Sequence, residues 1–357
     1  MVNFVSVSHL KSGMILARDL YGIDSCTSKV IMLKSGQKLT VSNITKIMCM
    51  EQLTGVYIQS DESFDNENQL VDTKTKKEIL NSIQKIYDLS TRTTETLYAE
   101  TISHANAVIE KLVDTIVDNP KMYIDIDSLR IYDDCTYNHS LGVTVLSIAI
   151  GKSLGLSKKN LSQLALCALL HDIGKMHVPI EIISKPDKLT DEEFAEIKKH
   201  PCKGGSILKK NDLVSGLVLS GVISHHEKVD GTGYPNGLKG KHIPLFGRIV
   251  SCADVYDALT STRPYRTPAT PSEAIEYIMG GSGRQFDRGV VKGFLKCISP
   301  YPVGSCIKLS TGEKAIIVCQ NSSNPMRPKI FMMDKPTVVV DLLNDDHYLD
   351  VVIDNLC

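Results

Sequence analysis

The chain has 357 residues, of which 42% are hydrophobic and 23% are charged, with 40 basic residues against 41 acidic ones. These proportions are typical of globular proteins and exclude a disordered chain, a collagen-like repeat and a membrane bundle. The formal charge of −1 provides no general basic field for a nucleic-acid polymer, so a local cluster must bind any anionic ligand.

Three further features predict a cytoplasmic protein with reduced thiols. The N-terminus shows no signal-peptide pattern. The richest apolar stretch, 141–156, is interrupted by Lys152 and is too short to span a membrane. The ten cysteines form no CxxC pair and no regular disulfide framework.

The first 65 residues predict a small α+β domain, which we expect to be regulatory. Its predicted elements are a hairpin through Ser35–Gly36 within 29–40, a helix over 42–52 and a strand over 55–59. A polar linker follows, and apolar positions at helical spacing from 73 to 117 predict one or two long amphipathic helices. These helices are a candidate surface for a homodimer.

Helix follows helix in the central region, where 141–154 and 161–170 are strongly apolar. We expect Gly174 to stop the second of these helices. The capping box that starts at Thr190 predicts a helix that ends at His200, because Pro201 disfavours helical geometry in the residue before it.

The sequence pattern changes after Pro302, where short segments of alternating apolar and polar residues predict a small β domain. Its predicted strands are 306–309, 314–319, 329–333 and 338–342. The fold class is therefore multidomain, with an all-α helical core between a small α+β domain and a small β domain. The predicted domain boundaries are 1–65, 66–120, 121–298 and 299–357.

Seven histidine and aspartate side chains interrupt helical segments that are otherwise apolar. They are His139, His171, Asp172, His200, His225, His226 and Asp254. A carboxylate or imidazole on an apolar helix costs several kcal/mol unless it is paired or binds metal. A lone histidine in such a place is ordinarily a core residue, but two adjacent donor pairs with three further donors are hard to explain by coincidence.

Adjacent donors constrain how metal ions can be shared. Consecutive helical residues point about 100° apart, so His171 and Asp172 cannot both bind one ion from an unbroken helix, and the same holds for His225 and His226. Each member can reach a different ion, or Asp172 can bridge two ions. Five imidazoles and two carboxylates suit two ions with open water positions better than one tetrahedral zinc. Donors without thiolate favour iron, manganese, zinc or cobalt over calcium.

The motifs around these donors resemble the HD-GYP domain, a branch of the HD-domain metal phosphohydrolases, over residues 137–297. The matching strings are YNHS at 137–140, HDIGK at 171–175, HP at 200–201 with Gly204, HHE at 225–227, DGTGYP at 230–235, ADVYDAL at 253–259, RPYR at 263–266 and QFD at 285–287. The segment LKSGMILARD at 10–19 resembles the small regulatory domain that often precedes this one.

The resemblance implies a helical bundle with a binuclear or trinuclear metal site that hydrolyses cyclic di-GMP to linear pGpG, and it leaves open whether cleavage continues to GMP. Its ligand positions fall on the same seven residues. Trinuclear members carry a glutamate four residues before the first ligand histidine, where this chain has Cys135 preceded by Asp134. We therefore expect two ions rather than three, iron or manganese first, with zinc, cobalt or nickel as alternatives.

The expected reaction is attack by metal-bound hydroxide on a phosphodiester, with Asp172 bridging the ions. Lys175, one turn further on, is expected to neutralise the attacked phosphate. The alternative is a surface lysine favoured by the helix dipole. Arg263 and Arg266 are expected at the second phosphate, because guanidinium groups match phosphate geometry. Tyr265 has two open interpretations, core packing and guanine stacking.

Gly231, Gly233 and Pro235 predict a loop around Tyr234. The loop is either a tight turn that closes the site or, as the resemblance implies, also a contact for diguanylate cyclase (GGDEF) domains. Asp257 is predicted to hydrogen-bond within the bundle. The histidines predicted not to be ligands are His9, His104, His177, His242 and His347.

Three functions stay open at this point. The first is a cyclic di-GMP phosphodiesterase, favoured by the complete donor set and by the arginine pair. The second is a phosphohydrolase for another nucleotide, such as a cyclic GMP-AMP hybrid. The third is a non-catalytic sensor or scaffold that binds nucleotide.

Overall fold

The computed structural model describes two compact units, Leu70–Ser299 and a second made of Met1–Gln69 with Pro300–Cys357. The described residues are 2–6, 10, 13–17, 20–23, 29–40, 43–44, 47, 55–59, 73–90, 95–118, 135–183, 185, 187–210, 214–261, 268–298, 301, 305–321, 324, 326–333 and 339–356. Within these ranges none of the helices combines the length and apolar content that a bilayer crossing requires.

The unit Leu70–Ser299 is helical. Its helices are α1 (Thr73–Ser90), α2 (Glu95–Asp118), α3 (Cys135–Ser153), α4 (Lys158–Leu170), α5 (Ile180–Ile183), α6 (Asp191–Ile197), α7 (His200–Lys210), α8 (Gly216–Ser224), α9 (Leu245–Thr260), α10 (Pro271–Gly280) and α11 (Arg288–Cys297). The apolar helices α3 and α4 pack on each other, α9 and α11 pack on α3, and α8 packs on α4. This arrangement confirms a helical core.

The two predicted amphipathic helices, α1 and α2, bury their apolar stripes within this unit. Ile83 and Ile86 of α1 and Ile109 and Leu112 of α2 are at most 1% exposed. The helices pack on each other, α1 also packs on α3, and α2 also packs on α4. The apolar spacing that predicted them is therefore explained by packing inside the helical unit.

One expected helix end is wrong, and the apolar helix over 161–170 ends where expected but not through Gly174. Helix α6 begins with the predicted capping box at Thr190 but ends at Ile197, and α7 begins at His200. Pro201 thus lies in a first turn, where its missing N–H costs nothing. Gly174 does not stop α4, which ends at Leu170; it lies in a short 3-10 helix, Ile173–His177. A Cβ at Gly174 would lie 1.9 Å from the His200 carbonyl oxygen, so glycine is required for close packing.

Residues of the N-terminal region form two antiparallel sheets. Strands β1 (Val2–Ser6), β5 (Gly55–Gln59) and β2 (Ile15–Leu16) form one, in that order, and β3 (Leu20–Ile23) pairs with β4 (Lys29–Leu33). The strand over 55–59 is confirmed. The hairpin expected within 29–40 is wrong, because β4 pairs with the preceding strand and only an isolated bridge joins Lys38 to Ile15. Most of the helix expected over 42–52 lies outside the described residues.

The described residues of the C-terminal region form one five-stranded antiparallel sheet. Its strands are β6 (Cys306–Leu309), β7 (Lys314–Cys319), β8 (Lys329–Met332), β9 (Val339–Asp341) and β10 (Ile353–Leu356), and their order in the sheet is β10-β6-β7-β8-β9. The first four match the predicted strands to within one residue at either end. The alternating inward residues, among them Ile307, Ile317 and Ile330, make the core of this sheet.

Candidate metal centre

Seven donor residues from five separate parts of the helical unit meet in its interior. His139 lies on α3, His171 and Asp172 follow the end of α4, His200 begins α7, His225 and His226 follow α8, and Asp254 lies within α9. The packing of these helices brings all seven predicted donors into two adjoining groups. Within each group, the donor atoms lie within 4.8 Å of one another.

The first donor group consists of His139, His171 and Asp254. The Nε2 atom of His139 lies 3.1 Å from Oδ1 of Asp254, and the Nε2 atom of His171 lies 3.9 Å from the same oxygen. His171 is fully buried, and the side chains of His139 and Asp254 are 17% and 13% exposed. The group is therefore nearly closed to bulk water.

The second donor group consists of Asp172, His200, His225 and His226. Oδ1 of Asp172 lies 3.3 Å from Nε2 of His200 and 3.9 Å from Nε2 of His225. The two imidazole Nε2 atoms are 3.3 Å apart. The expectation that the neighbours His225 and His226 reach different ions is wrong, since both belong to this group. They lie in the turn after α8 ends at Ser224, not within an unbroken helix.

Asp172 lies between the two groups. Its Oδ1 faces the second group, whereas its Oδ2 lies 3.4 Å from Nε2 of His171 in the first. His171 and Asp172 therefore face different groups, as their adjacency predicted. This is the position from which one carboxylate can serve two cations.

The residues present fit a metal ion. Nε2 of His171 and Oδ1 of Asp172 are buried and have no hydrogen-bond partner among the described residues. Such atoms are costly when left unpaired, and both point into the donor groups. Nitrogen and carboxylate donors in this combination are typical ligands of divalent transition metals.

Hydrogen bonds orient four of the five imidazoles. In three of them Nδ1 lies close to a backbone carbonyl oxygen: His171 at 2.7 Å from Ala168, His200 at 2.8 Å from Ile197 and His225 at 2.7 Å from Val222. In His139, Nδ1 lies 2.6 Å from Oδ2 of Asp257. A carbonyl oxygen only accepts, so Nδ1 carries the proton and Nε2 keeps a free lone pair toward the centre. Asp257 hydrogen-bonds within the bundle as predicted, and Gly142 leaves space for its carboxylate.

The electrostatics of the two groups differ. Burial lowers the pKa of His139, but the hydrogen bonds with Asp254 and Asp257 outweigh burial and raise it to about 10. Burial lowers the pKa of His226 to about 4 and holds that of His225 well below its usual value. Burial opposes ionisation of both donor carboxylates, yet neighbouring positive groups hold the pKa of Asp172 and of Asp254 well below the usual range.

Lys175 stands beside the shared carboxylate. Its Nζ lies 2.6 Å from Oδ2 of Asp172, and its side chain is 40% exposed. A partly exposed cation next to a buried donor group can meet an anionic ligand that approaches from solvent. The expected substrate contacts Arg263 and Arg266, together with Tyr265 and Asp134, lie outside the described residues, as does the side chain of Cys135.

The glycine-rich loop after α8 contacts the second group. The ring of Tyr234 stacks on that of His226 with centroids 4.8 Å apart. Glu227, only 2% exposed, accepts hydrogen bonds from the backbone N–H groups of Asn236 and Leu238 at 2.7 and 3.0 Å. The sequence analysis assigned no role to Glu227. The feature that could have indicated one is its position, directly after the donors His225 and His226 and before the glycine-rich loop.

The comparisons with known proteins agree with this site. The family model of the HD domain matches residues 112–290. A cyclic di-GMP phosphodiesterase of Pseudomonas aeruginosa is 37% identical over 247 residues, which cover 67% of this chain and 59% of that protein. A cyclic di-GMP phosphodiesterase of Thermotoga maritima is 41% identical over 162 residues, 45% of this chain and 44% of that protein.

The chain spans about half the length of these curated relatives. Among solved structures, a HDG"Y"P protein from Bdellovibrio bacteriovorus superposes with a TM-score of 0.52 at 22% identity. The match covers 82% of this chain and 98% of the other. At this level of identity, the likeness concerns the fold alone.

Proposed function

The chain belongs to the HD-domain family, in its HD-GYP branch, and from that premise we propose that it is a metal-dependent phosphodiesterase that hydrolyses cyclic di-GMP to pGpG and further to GMP. The observation that supports this most directly is the convergence of all seven donors in two groups, with Asp172 of the second group 3.4 Å from His171 of the first. A binding protein without catalysis has no need for two buried donor groups around one carboxylate.

His139, His171 and Asp254 would hold one ion, His200, His225 and His226 the other, and Asp172 would serve both. Iron or manganese is the expected metal, with zinc, cobalt or nickel as alternatives, and a third ion is not favoured. When bound, such ions act as Lewis acids on phosphate oxygens and lower the pKa of water. The hydrogen bonds to the imidazole Nδ1 atoms keep each Nε2 directed at the centre.

Lys175 is the proposed catalytic partner of Asp172. Its ammonium group can neutralise the scissile phosphate and the charge that develops on it. Arg263 and Arg266 are proposed to bind the second phosphate of the cyclic dinucleotide, which a mononucleotide substrate would lack. The loop with Gly231, Gly233, Tyr234 and Pro235 in Asp230–Gly237 is a proposed contact for GGDEF domains. A homodimer and a cytoplasmic location also stay proposals.

The decisive experiment is turnover by anaerobically purified protein. Metal content is measured first by elemental analysis, and the protein is then supplied with Fe²⁺ or Mn²⁺ and either cyclic di-GMP or cyclic GMP-AMP. Chromatography of the products separates the three functions. We expect pGpG from cyclic di-GMP, followed by GMP. Preferential cleavage of the hybrid would support the second function, and tight binding at full metal occupancy without turnover would support the sensor.

A further inference from the structure

One ligand histidine is held differently from the other four. His139, His171, His200 and His225 each have an Nδ1 hydrogen bond to a carboxylate or a backbone carbonyl. Among the described residues, no hydrogen bond reaches the ring of His226. An imidazole ligand needs such a partner to fix its orientation, so His226 must be positioned in another way.

The glycine-rich loop supplies the missing restraint. The Tyr234 ring lies against the His226 ring at 4.8 Å between centroids, with an angle of 30° between the ring planes. The backbone N–H of Tyr234 also donates to the His226 carbonyl oxygen at 3.2 Å. Tyr234 therefore contacts both the main chain and the ring of this donor. Stacked aromatic pairs have a preferred geometry, which allows one ring to restrict the rotation of the other.

Glu227 fixes the loop that carries Tyr234. Both of its carboxylate oxygens accept backbone N–H groups of the loop, those of Asn236 and Leu238. At Gly233 the chain passes so close to Glu227 and Lys228 that a Cβ would lie 2.2 Å from the Lys228 backbone nitrogen. The carboxylate next to His226 in sequence thus anchors the far side of the same loop.

We propose that Tyr234 is a positioning residue that orients His226 for metal binding through ring stacking, and that Glu227 holds Tyr234 in place. This inference rests on the proposed metal centre and deepens it. It assigns the loop a task that differs from contact with substrate or a partner protein. It also predicts that the aromatic ring of Tyr234 matters for metal affinity and that its hydroxyl group does not.

The test is metal binding by the full chain after its metals have been removed with a chelator. Co²⁺ is the probe, titrated anaerobically against a chromophoric competitor, and its visible absorption bands report the ligand set. The variants are Tyr234→Leu, Tyr234→Phe and Glu227→Gln. The matched control is Tyr277→Leu, which removes an exposed ring whose hydroxyl donates to Gln285. Thermal unfolding checks that each variant is folded.

We expect the wild type, Tyr234→Phe and Tyr277→Leu each to bind two ions, and we expect the affinities of the two variants to equal those of the wild type. Tyr234→Leu and Glu227→Gln should lose about 10–100-fold in affinity for one ion and keep the other, the range for residues that orient a ligand. Unchanged binding of both ions by Tyr234→Leu would overturn the inference, as would a loss in Tyr234→Phe equal to that in Tyr234→Leu. A wild-type chain that binds no Co²⁺ would instead refute the proposed metal centre itself.

Discussion

The two donor groups differ in the direction in which their surroundings shift the pKa of a histidine. In the first group, His139 is enclosed by the carboxylates of Asp254 and Asp257, which raise its pKa to about 10. In the second group, burial and neighbouring imidazoles keep His225 neutral, and burial lowers the pKa of His226 to about 4. An ion that binds His139 must therefore displace a proton, whereas His225 and His226 are already deprotonated at neutral pH.

The largest effect is expected where the two groups meet. Asp172→Ala removes the carboxylate that faces both, so both ions should be lost together. Loss of Lewis-acid stabilisation worth about 4 kcal/mol corresponds to roughly 10³-fold in turnover. Elemental analysis and product chromatography measure the two effects. Lys175→Gln is the matched control, because it should retain both ions while losing turnover. An Asp172→Ala protein that keeps two ions would contradict the shared position.

A change within the first group should separate the two positions. Asp254→Asn removes the carboxylate that lies near His139 and His171 but leaves every donor of the second group intact. We expect the metal content to fall from two ions to one. The affinity of the lost ion should drop by more than about 100-fold, beyond the range for residues that only orient a ligand. Loss of both ions would show that the two groups do not bind independently.

A smaller effect is expected for the residue that orients His139. Asp257→Asn retains shape but removes the charge that holds the Nδ1 proton. We expect a loss of about 10–100-fold in affinity for the ion of the first group alone. Asp287→Asn is the matched control, because Asp287 pairs with Arg248 outside both groups. An effect on both ions, or on neither, would contradict this role.

The smallest effect is the pH dependence of stability after chelation. Between pH 4 and 6.5 the unfolded chain binds a proton at His226 that the folded chain does not, so the free energy of unfolding should rise with pH. Protonated His139 stabilises the folded chain, and its contribution to the free energy of unfolding is complete below pH 6.5. This contribution should be lost as the pH rises through about 10. Each slope is at most about 1.4 kcal/mol per pH unit.

Denaturant unfolding across this pH range measures both slopes. His226→Gln should flatten the acid side only, and His139→Gln the alkaline side only. If either variant flattens both sides, the groups titrate as one unit and the contrast between them does not hold.

The convergence of the seven side chains could be anticipated from sequence, because imidazoles and carboxylates are conspicuous on apolar helices. Asp254 is the clearest case, since it follows the buried apolar residues Ile249, Val250 and Ala253 on α9. The amphipathic helices and most C-terminal strands followed from periodicity in the same way. Such patterns report which face of a segment is buried.

Contacts between distant segments were not predictable by these means. The start of α7 at His200 depends on where the preceding chain turns, and Pro201 is compatible with both a helix end and a first turn. The pairing of β4 with β3 rather than with the residues after Ser35–Gly36 is likewise set by packing. Glu227 differs from a solvated carboxylate only in being buried, and burial becomes visible only in the folded chain.

The contact at Gly174 has a mechanical consequence. No side chain lies between Gly174 and the His200 carbonyl, so the two backbone segments are in direct contact. Close-packed interiors transmit displacement rather than absorb it. A displacement of the turn that carries His171 and Asp172 would therefore displace the start of α7. A change in the position of the Asp172 carboxylate would thus shift the whole of α7.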